Sequence, residues 1–160
     1  MFNANHLAAL RKIQVRLANT GINWVLTGSL AFALQGLPVT VDDIDVQTDE
    51  AGAYEIERLF SNFVNRKVHF SSTDKIRSHF GALNVDGIEV EIMGDVQKRL
   101  ADGSWEAPVD LDDYKRFIPF EDGQLPVFSL AYEREAYSNM GRLETSALLQ
   151  QWIDDHHEYA

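Results

Sequence analysis

The chain of 160 residues contains 25 Asp and Glu against 14 Lys and Arg, which gives a formal net charge of −11. Proteins that bind long nucleic acids present basic surfaces to the phosphates, so this composition argues against a duplex or tRNA partner. The acidity suits a small cationic partner, or it serves only solubility. The chain has no cysteine, which excludes disulfides and thiolate metal sites.

The length predicts one domain over residues 1–160, which is enough chain to bury a sizeable core. The amino-terminal residues lack the charged and apolar regions of a secretory signal. No apolar run approaches the roughly 20 residues that a membrane-spanning helix requires. Together with the absence of cysteine, these features predict a cytoplasmic protein without a membrane partner.

Apolar periodicity divides the amino-terminal part of the chain into helices and strands. Leu7, Leu10, Ile13 and Leu17 recur at helical spacing and predict an amphipathic first helix. The predicted elements that follow are a strand Trp24–Thr27, a short helix Leu30–Gln35, a strand Asp43–Gln47, and a helix from Thr48 or Asp49 to Phe63.

The carboxyl-terminal part contains more strands. Asp86-Gly87 is a two-residue hairpin signal, and the alternation after it puts Glu89 and Glu91 on one face of a strand Ile88–Met93. We expect Gly94-Asp95 to close that strand and Asp95 to begin a short helix through Leu100. The other predicted elements are strands Val68–Phe70 and Phe80–Val85, short strands near Trp105 and Phe117–Ile118, an extended segment Leu125–Phe128, and helices Leu130–Met140 and Leu143–Asp155.

A glycine and a serine follow the first predicted strand directly. Gly28 lets the backbone turn tightly without a side chain in the way. Ser29 would then begin a helix whose free N–H groups suit a phosphate. Considered alone, Gly-Ser before a helix is more often an ordinary turn and N-cap.

Two aspartates share one face of the next predicted strand. Asp43 and Asp45 are two residues apart, so their carboxylates point the same way while the residues between them face a core. Alone, alternating acids more often mark a solvated strand face. A third carboxylate, from Glu89 or Glu91, would join them if the later strand lay beside this one with the acidic faces aligned.

Convergent carboxylates beside a phosphate-binding turn suit metal-assisted phosphoryl or nucleotidyl transfer. Magnesium is a hard ion, bound by carboxylates, substrate phosphate oxygens and water. Two such ions about 3.5–4 Å apart can activate an attacking hydroxyl and stabilise the leaving pyrophosphate. A third carboxylate can also accept the proton of that hydroxyl. The ordered combination of turn and acids favours a functional site over a solvated surface.

The segment Val25–Val46 resembles the DNA polymerase β-like nucleotidyltransferase superfamily. It shows the superfamily pattern of apolar residues and Gly-Ser, a short helix, a glycine, and then Asp-apolar-Asp-apolar. Further stretches resemble a small subgroup of uncharacterised bacterial and archaeal nucleotidyltransferase-like proteins, which extends the resemblance over most of the chain. These stretches are Asp42–Asp49, Ile76–Gly81, Val90–Asp95 and Ala136–Arg142.

This resemblance implies a fold and a reaction. The fold is α+β, with a mixed twisted sheet flanked by helices and with helices at the carboxyl terminus. The reaction is a magnesium-dependent transfer of a nucleoside monophosphate from an NTP to a small-molecule or protein acceptor, through a two-metal mechanism. The antibiotic nucleotidyltransferases for aminoglycosides and lincosamides resemble the chain more distantly, by motif.

The site residues carry over from the superfamily by position. The resemblance implies that Gly28 and Ser29 form the phosphate-binding turn. It implies that Asp43 and Asp45 are the metal-binding pair and that Glu91 is the third carboxylate. Glu91 is preferred as metal ligand or base because its Val-Glu-Ile context is similar to the apolar-acid-apolar strand of the superfamily. Glu89 stays the alternative, since it shares the same strand face.

Two cations of the superfamily pattern are missing from this chain. Many members place an arginine shortly before the first aspartate, where this chain has Val39–Val41, and others carry a lysine in the penultimate helix, where it has Tyr137. Fewer cations weaken the stabilisation of transition-state charge, so Arg77, Arg142 or Lys75 would have to substitute. The alternative is a non-catalytic nucleotide-binding or partner-binding member of the fold, such as an antitoxin-like subunit. The acceptor, the preferred NTP and the oligomeric state stay open.

Overall fold

The computed structural model describes residues 2–156 and contains, over that range, seven strands and five α-helices. The strands are β1 (Trp24–Thr27), β2 (Ile44–Thr48), β3 (Val64–Ser72), β4 (Ile76–Val85), β5 (Ile88–Lys98), β6 (Lys115–Phe120) and β7 (Gly123–Phe128). The helices are α1 (Ala4–Leu17), α2 (Gly28–Leu34), α3 (Glu50–Leu59), α4 (Leu130–Asn139) and α5 (Leu143–Asp155). The predicted α+β class, with a mixed sheet and carboxyl-terminal helices, is confirmed.

The seven strands form one mixed sheet in the order β3-β4-β5-β2-β1-β7-β6. Strand β2 lies antiparallel to β1 on one side and parallel to β5 on the other. The β2–β5 register places Asp45 opposite Glu91 and Val46 opposite Ile92. Because side chains alternate along both strands, this register aligns the two acidic faces. The sheet therefore meets the condition that the sequence set for a third carboxylate.

The face of the sheet opposite the acids packs against α1 and α3. Ile44 and Val46 of β2 are buried there together with apolar residues of both helices. Each fully buried aliphatic side chain contributes about 1.5–3 kcal/mol to folding. His6 of α1 adds a polar tie, since its Nε2 lies 2.8 Å from the carbonyl oxygen of Asp42. The start of α1 therefore holds Asp42, the residue directly before the candidate metal ligand Asp43.

Strand β5 continues past the point where the sequence predicted its end. Gly94 and Asp95 do not close the strand, no helix forms between Asp95 and Leu100, and pairing with β4 resumes at Gln97. Asp95 has φ +51°, and β5 has one residue more than β4 between the pairs Arg77–Gln97 and His79–Gly94. Gly94-Asp95 therefore marks a β-bulge in β5. A Cβ on Gly94 would lie 2.6 Å from the carbonyl oxygen of Asp49, so the sheet packs too closely there for any side chain.

Other differences from the predicted elements are smaller. Strands β3 and β4 are longer than predicted, and α3 ends at Leu59, followed by a separate 3₁₀ turn over Ser61–Phe63. The short strand predicted near Phe117–Ile118 is β6, while Trp105 forms only an isolated bridge with Arg99. The Asp86-Gly87 hairpin is confirmed, since β4 and β5 pair around it and both turn residues have positive φ. None of the described helices combines the length and the apolar character needed to cross a bilayer.

Candidate active site

The turn between β1 and α2 brings the backbone against a carboxylate. Gly28 has φ +74°, a conformation that favours glycine, and a Cβ built on it would lie 2.5 Å from Oδ2 of Asp45. Thr27 and Asp45 are opposite each other in the β1–β2 register. Ser29 follows in the first turn of α2 and is half-buried. The predicted turn and the predicted aspartate are thus in direct contact.

This contact predicts a specific cost for a methyl group at the turn. Gly28→Ala is expected to lower the free energy of unfolding by about 2–4 kcal/mol, because it adds steric strain at positive φ and displaces the Asp45 carboxylate. Gly21→Ala is the matched control, since Gly21 has φ +76° and nothing within 4 Å of a built Cβ. It is expected to cost only about 1 kcal/mol. Urea denaturation of both variants measures the difference; equal losses would show that the Asp45 contact adds nothing.

Four carboxylates gather at the ends of β2 and β5. Oxygen atoms of Asp43, Glu89 and Glu91 all lie within 4.8 Å of one another. Asp45 is the next residue on the same face of β2 and lies across from Glu91. The structure therefore brings together both predicted aspartates and both candidate glutamates. An all-oxygen donor set of this kind fits a hard divalent cation such as Mg²⁺.

Burial and mutual repulsion raise the pKa values of this cluster. Burial is the main cause at Asp45 and raises its pKa to about 6, with help from the charges of Asp43 and Glu89. The pKa of Glu91 rises to about 7, again through burial first and then through the neighbouring carboxylates. The pKa of Asp43 is raised for the same reasons. A cation bound among these oxygens would offset the repulsion that the fold imposes.

A fifth carboxylate, which the sequence did not reveal, holds the turn itself. Glu133 of α4 is buried, and its carboxylate accepts hydrogen bonds from Thr27 Oγ1 at 2.8 Å and from the Gly28 N–H at 3.2 Å. Burial raises its pKa to about 7, while the two hydrogen bonds act in the opposite direction. The helical period could have revealed the burial of Glu133, because Leu130, Glu133 and Ala136 occupy one buried face of α4.

Helix α4 covers the acidic face and forms a cleft of about 200 Å³ with it. Ser129 starts the helix by accepting a hydrogen bond from the Tyr132 N–H, which places Glu133 over the turn. Residues of the sheet and of α4 face each other across the cleft. They include Thr27, Gly28, Asp45, Gln47, Glu91, Met93, Lys98, Tyr132, Glu133 and Tyr137.

Lys98 lines this cleft, whereas Arg77, Arg142 and Lys75, which the sequence offered as substitutes, are not among the cleft residues. The Arg142 guanidinium lies 4.8 Å from the centre of the Tyr137 ring, beside the position where a lysine is missing. Lys98 lines the cleft from β5, with its Nζ 3.4 Å from the Tyr132 hydroxyl. Arg77, by contrast, lies over the Trp105 ring, 4.5 Å from its centre, and is not among the cleft residues. Sequence reasoning missed Lys98 because it had placed this residue in a helix.

The fold and the carboxylate cluster together define a nucleotidyltransferase-like protein. The chain belongs to the aminoglycoside-2''-adenylyltransferase family, whose model matches residues 9–152. A solved structure of a candidate nucleotidyltransferase from Thermotoga maritima is 59% identical, with 98% of this chain and 97% of that chain covered and a TM-score of 0.85.

A second solved structure shares the fold alone. It is the lincosamide antibiotic adenylyltransferase LnuA bound to lincomycin, at 13% identity, with 89% of this chain and 94% of that chain covered and a TM-score of 0.57. No curated protein matches the chain significantly. The comparisons therefore support the nucleotidyltransferase-like class that the resemblance had implied.

Proposed function

We propose that this protein is a magnesium-dependent nucleotidyltransferase of the polymerase β-like type, which moves a nucleoside monophosphate from an NTP to a small-molecule or protein acceptor. One observation carries the proposal. Carboxylate oxygens of Asp43, Glu89 and Glu91 lie within 4.8 Å of one another at the parallel β2–β5 pair, and Asp45 lies opposite Glu91 beside the Gly28 turn. The acidic composition agrees with an acceptor other than long nucleic acid, and the absence of cysteine agrees with the cytoplasm as the compartment.

The carboxylates have distinct tasks in this proposal. Asp43, Asp45 and Glu91 would hold the metal, and the Glu89 carboxylate lies within 4.8 Å of those of Asp43 and Glu91. Two divalent ions, when bound, supply charge neutralisation for the phosphates and lower the pKa of an attacking hydroxyl. Glu91 is also the candidate acceptor of that hydroxyl's proton, as the superfamily resemblance implies.

The turn would position the triphosphate. Backbone N–H groups at Ser29 and its neighbour are available to phosphate oxygens in the first turn of α2, as the superfamily resemblance implies. The Gly28 N–H is held by Glu133 instead, so Glu133 fixes the turn. Lys98 lines the cleft and would counter the charge of the phosphates.

A second candidate function follows from the same turn. Because an internal carboxylate already takes the Gly28 N–H, and because Tyr137 replaces a lysine, the site offers a triphosphate fewer donors than the superfamily pattern does. A non-catalytic member of the fold, which binds a nucleotide or a protein partner without transfer, would tolerate this loss.

Binding and turnover of NTPs distinguish the two candidates. Purified protein is titrated with each of the four NTPs in Mg²⁺ by calorimetry. Pyrophosphate release and transfer of label from α-phosphate-labelled NTP are then followed with a metabolite extract and protein fractions as acceptors. NTP binding with pyrophosphate release supports the enzyme. NTP binding without pyrophosphate release from any mixture supports the non-catalytic candidate, and absence of NTP binding contradicts the transferase.

The raised pKa values predict how the metal-free protein responds to pH. A carboxyl group whose pKa is higher in the folded than in the unfolded state binds more protons when folded, so stability rises as pH falls. The relevant groups are Asp45, Glu91 and Glu133, with pKa values of about 6, 7 and 7. In EDTA, the melting temperature should therefore rise as pH falls from about 8 to about 6.

Magnesium should reverse this trend, because it binds the ionised carboxylates and stabilises the folded state more at the upper end of the range. Thermal melts with EDTA or Mg²⁺ at each pH measure both effects. In the Asp45→Asn/Glu91→Gln double variant in EDTA, the rise of the melting temperature with falling pH should shrink to the part due to Glu133. The increase of the melting temperature on addition of Mg²⁺ should disappear. An unchanged pH response in that variant would contradict the assignment to this cluster.

A further inference from the structure

A large cavity adjoins the catalytic cleft at the far end of α4. Its volume is about 1090 Å³, and its walls come from the β3–β4 turn, the end of β5 with the loop after it, and the link between α4 and α5. Cavities that bind small molecules commonly measure about 300–1,000 Å³. Three residues, Ile76, Lys98 and Met140, line both this cavity and the acidic cleft, so the two spaces adjoin.

The charge of the cavity is opposite to that of the chain. Four cationic side chains line it, from Lys75, Lys98, Arg99 and Arg142, against the two carboxylates of Asp74 and Glu106. The whole chain, by comparison, carries a formal charge of −11. A local reversal of sign in a protein this acidic concentrates anions at the cavity, because clefts lined by one sign of charge focus the field.

Most of these cations are not neutralised inside the protein. Only Lys98 forms an ion pair, with its Nζ 3.7 Å from Oε1 of Glu106. Lys75, Arg99 and Arg142 form none with any residue of the described range 2–156. Arg142 is oriented by the Tyr137 ring, and Arg99 donates a hydrogen bond to the Gly103 carbonyl. Their charges therefore remain available to a ligand.

The same cavity also has an apolar wall. Ile76, Leu100, Ala101 and Met140 contribute to it. Leu100 is 47% exposed and Met140 36% exposed, although both are large apolar residues. Apolar side chains left accessible within a concave surface are typical of ligand-binding grooves. The cavity therefore presents apolar contact area and positive charge together.

We propose that this cavity binds the acceptor, and that the acceptor is an anionic small molecule with an apolar body and a hydroxyl group. The proposal rests on the proposed function. A hydroxyl carried past Ile76 and Met140 reaches the cleft that Asp45 and Glu91 line, while a carboxylate or phosphate on the same molecule stays among the cations. An aminoglycoside, which carries several amines, would meet repulsion there.

The transfer exchanges one bond to the α-phosphorus for another. The acceptor hydroxyl oxygen forms a bond to the α-phosphorus of the NTP, and the bond from that phosphorus to the oxygen bridging to the β-phosphate breaks. Pyrophosphate leaves with the bond electrons, and the hydroxyl proton passes to Glu91. In the product, a phosphodiester joins the acceptor oxygen to the nucleoside.

Two ligands could supply the negative charge that pairs with the cations of the cavity, namely the acceptor and the triphosphate of the NTP. The experiment separates them with two titrations of the same proteins. In the first, para-(hydroxymethyl)benzoate and para-(hydroxymethyl)benzylamine, which share size and apolar body but differ in charge, are titrated by NMR, with kanamycin as a polycationic probe. In the second, ATP is titrated with Mg²⁺ by calorimetry.

The variants isolate the cavity cations. Lys75→Gln/Arg142→Gln removes two exposed cations of the cavity, and Arg66→Gln/Lys67→Gln is the matched control on the exposed edge strand β3. We expect the benzoate to bind the wild type at least about tenfold more tightly than the benzylamine or kanamycin. The cavity variant should lose about tenfold in benzoate affinity, while the control variant and the affinity of every variant for ATP change little.

Three results would overturn the proposal: benzoate binding no tighter than that of the cationic probes, equal benzoate affinity in the cavity and control variants, or a loss of ATP affinity in the cavity variant as large as its loss of benzoate affinity. The last result would assign the cavity to the triphosphate. Failure of the proposed function gives a different pattern, since the wild type would then bind the benzoate but not ATP with Mg²⁺.

Discussion

Asp45→Asn is expected to reduce nucleotidyl transfer by about a thousandfold or more while making the metal-free protein more stable. An amide cannot supply the negative charge that holds a divalent cation, and the loss of transition-state stabilisation is of the order seen when a preorganised electrostatic group is removed. Transfer of label from α-phosphate-labelled NTP measures the first effect. Asp122→Asn, on the exposed hairpin between β6 and β7, is the matched control and should keep wild-type activity.

The gain in stability follows from the pKa of Asp45. Its folded-state value of about 6, against an ordinary 3.8, means that the ionised group opposes folding at every pH above 6. Removal of that charge at pH about 8 should add on the order of 1–3 kcal/mol to the free energy of unfolding in EDTA. Urea denaturation measures it. A destabilised Asp45→Asn protein, or one that retains transfer, would contradict the role given to this carboxylate.

Glu133→Ala is expected to produce a large loss of stability. Truncation of this buried side chain leaves the Thr27 hydroxyl and the Gly28 N–H without their acceptor and opens a cavity beneath α4. Unsatisfied buried donors and a lost side chain together cost about 2–4 kcal/mol. For a domain of this size, that loss lowers the melting temperature by roughly 4–15 °C. Differential scanning calorimetry measures it.

Two further variants test whether the hydrogen bonds are responsible. Glu133→Gln retains an acceptor and the side-chain volume, so it should recover most of the stability at pH about 8, where the wild-type carboxylate is ionised and buried. Glu135→Ala lies on the exposed side of the same helix and should change stability by less than about 0.5 kcal/mol. Equal losses in Glu133→Ala and Glu135→Ala would show that Glu133 does not support the turn.

The strand that carries Lys98 shows where local signals mislead. Gly94-Asp95 has the composition of a turn, and a short apolar-polar segment follows it, so the sequence predicted a strand end and a helix. In the fold, pairing with β4 on one side continues across the bulge at Asp95. Cross-strand hydrogen bonds and burial override a local preference of about 1 kcal/mol. Lys98 therefore enters the cleft from a strand.

The carboxylate cluster was only partly predictable. The alternation of Asp43 and Asp45 fixes their common face in any strand, so no partner needs to be known. The choice between Glu89 and Glu91 cannot be made in the same way, since both share one face of β5. The β2–β5 register brings both into the cluster, with Glu91 directly across from Asp45.

The shared faces of the strand residues, the turn at Gly28 and the superfamily resemblance can all be read from the sequence. These properties depend on spacing along one segment and on backbone freedom at one residue. The support of the turn by Glu133, and the cations of β5 and the α4–α5 link beside the acids, became visible in the folded chain. Such contacts join residues far apart in the chain, so they depend on strand order and helix packing, which no local pattern encodes.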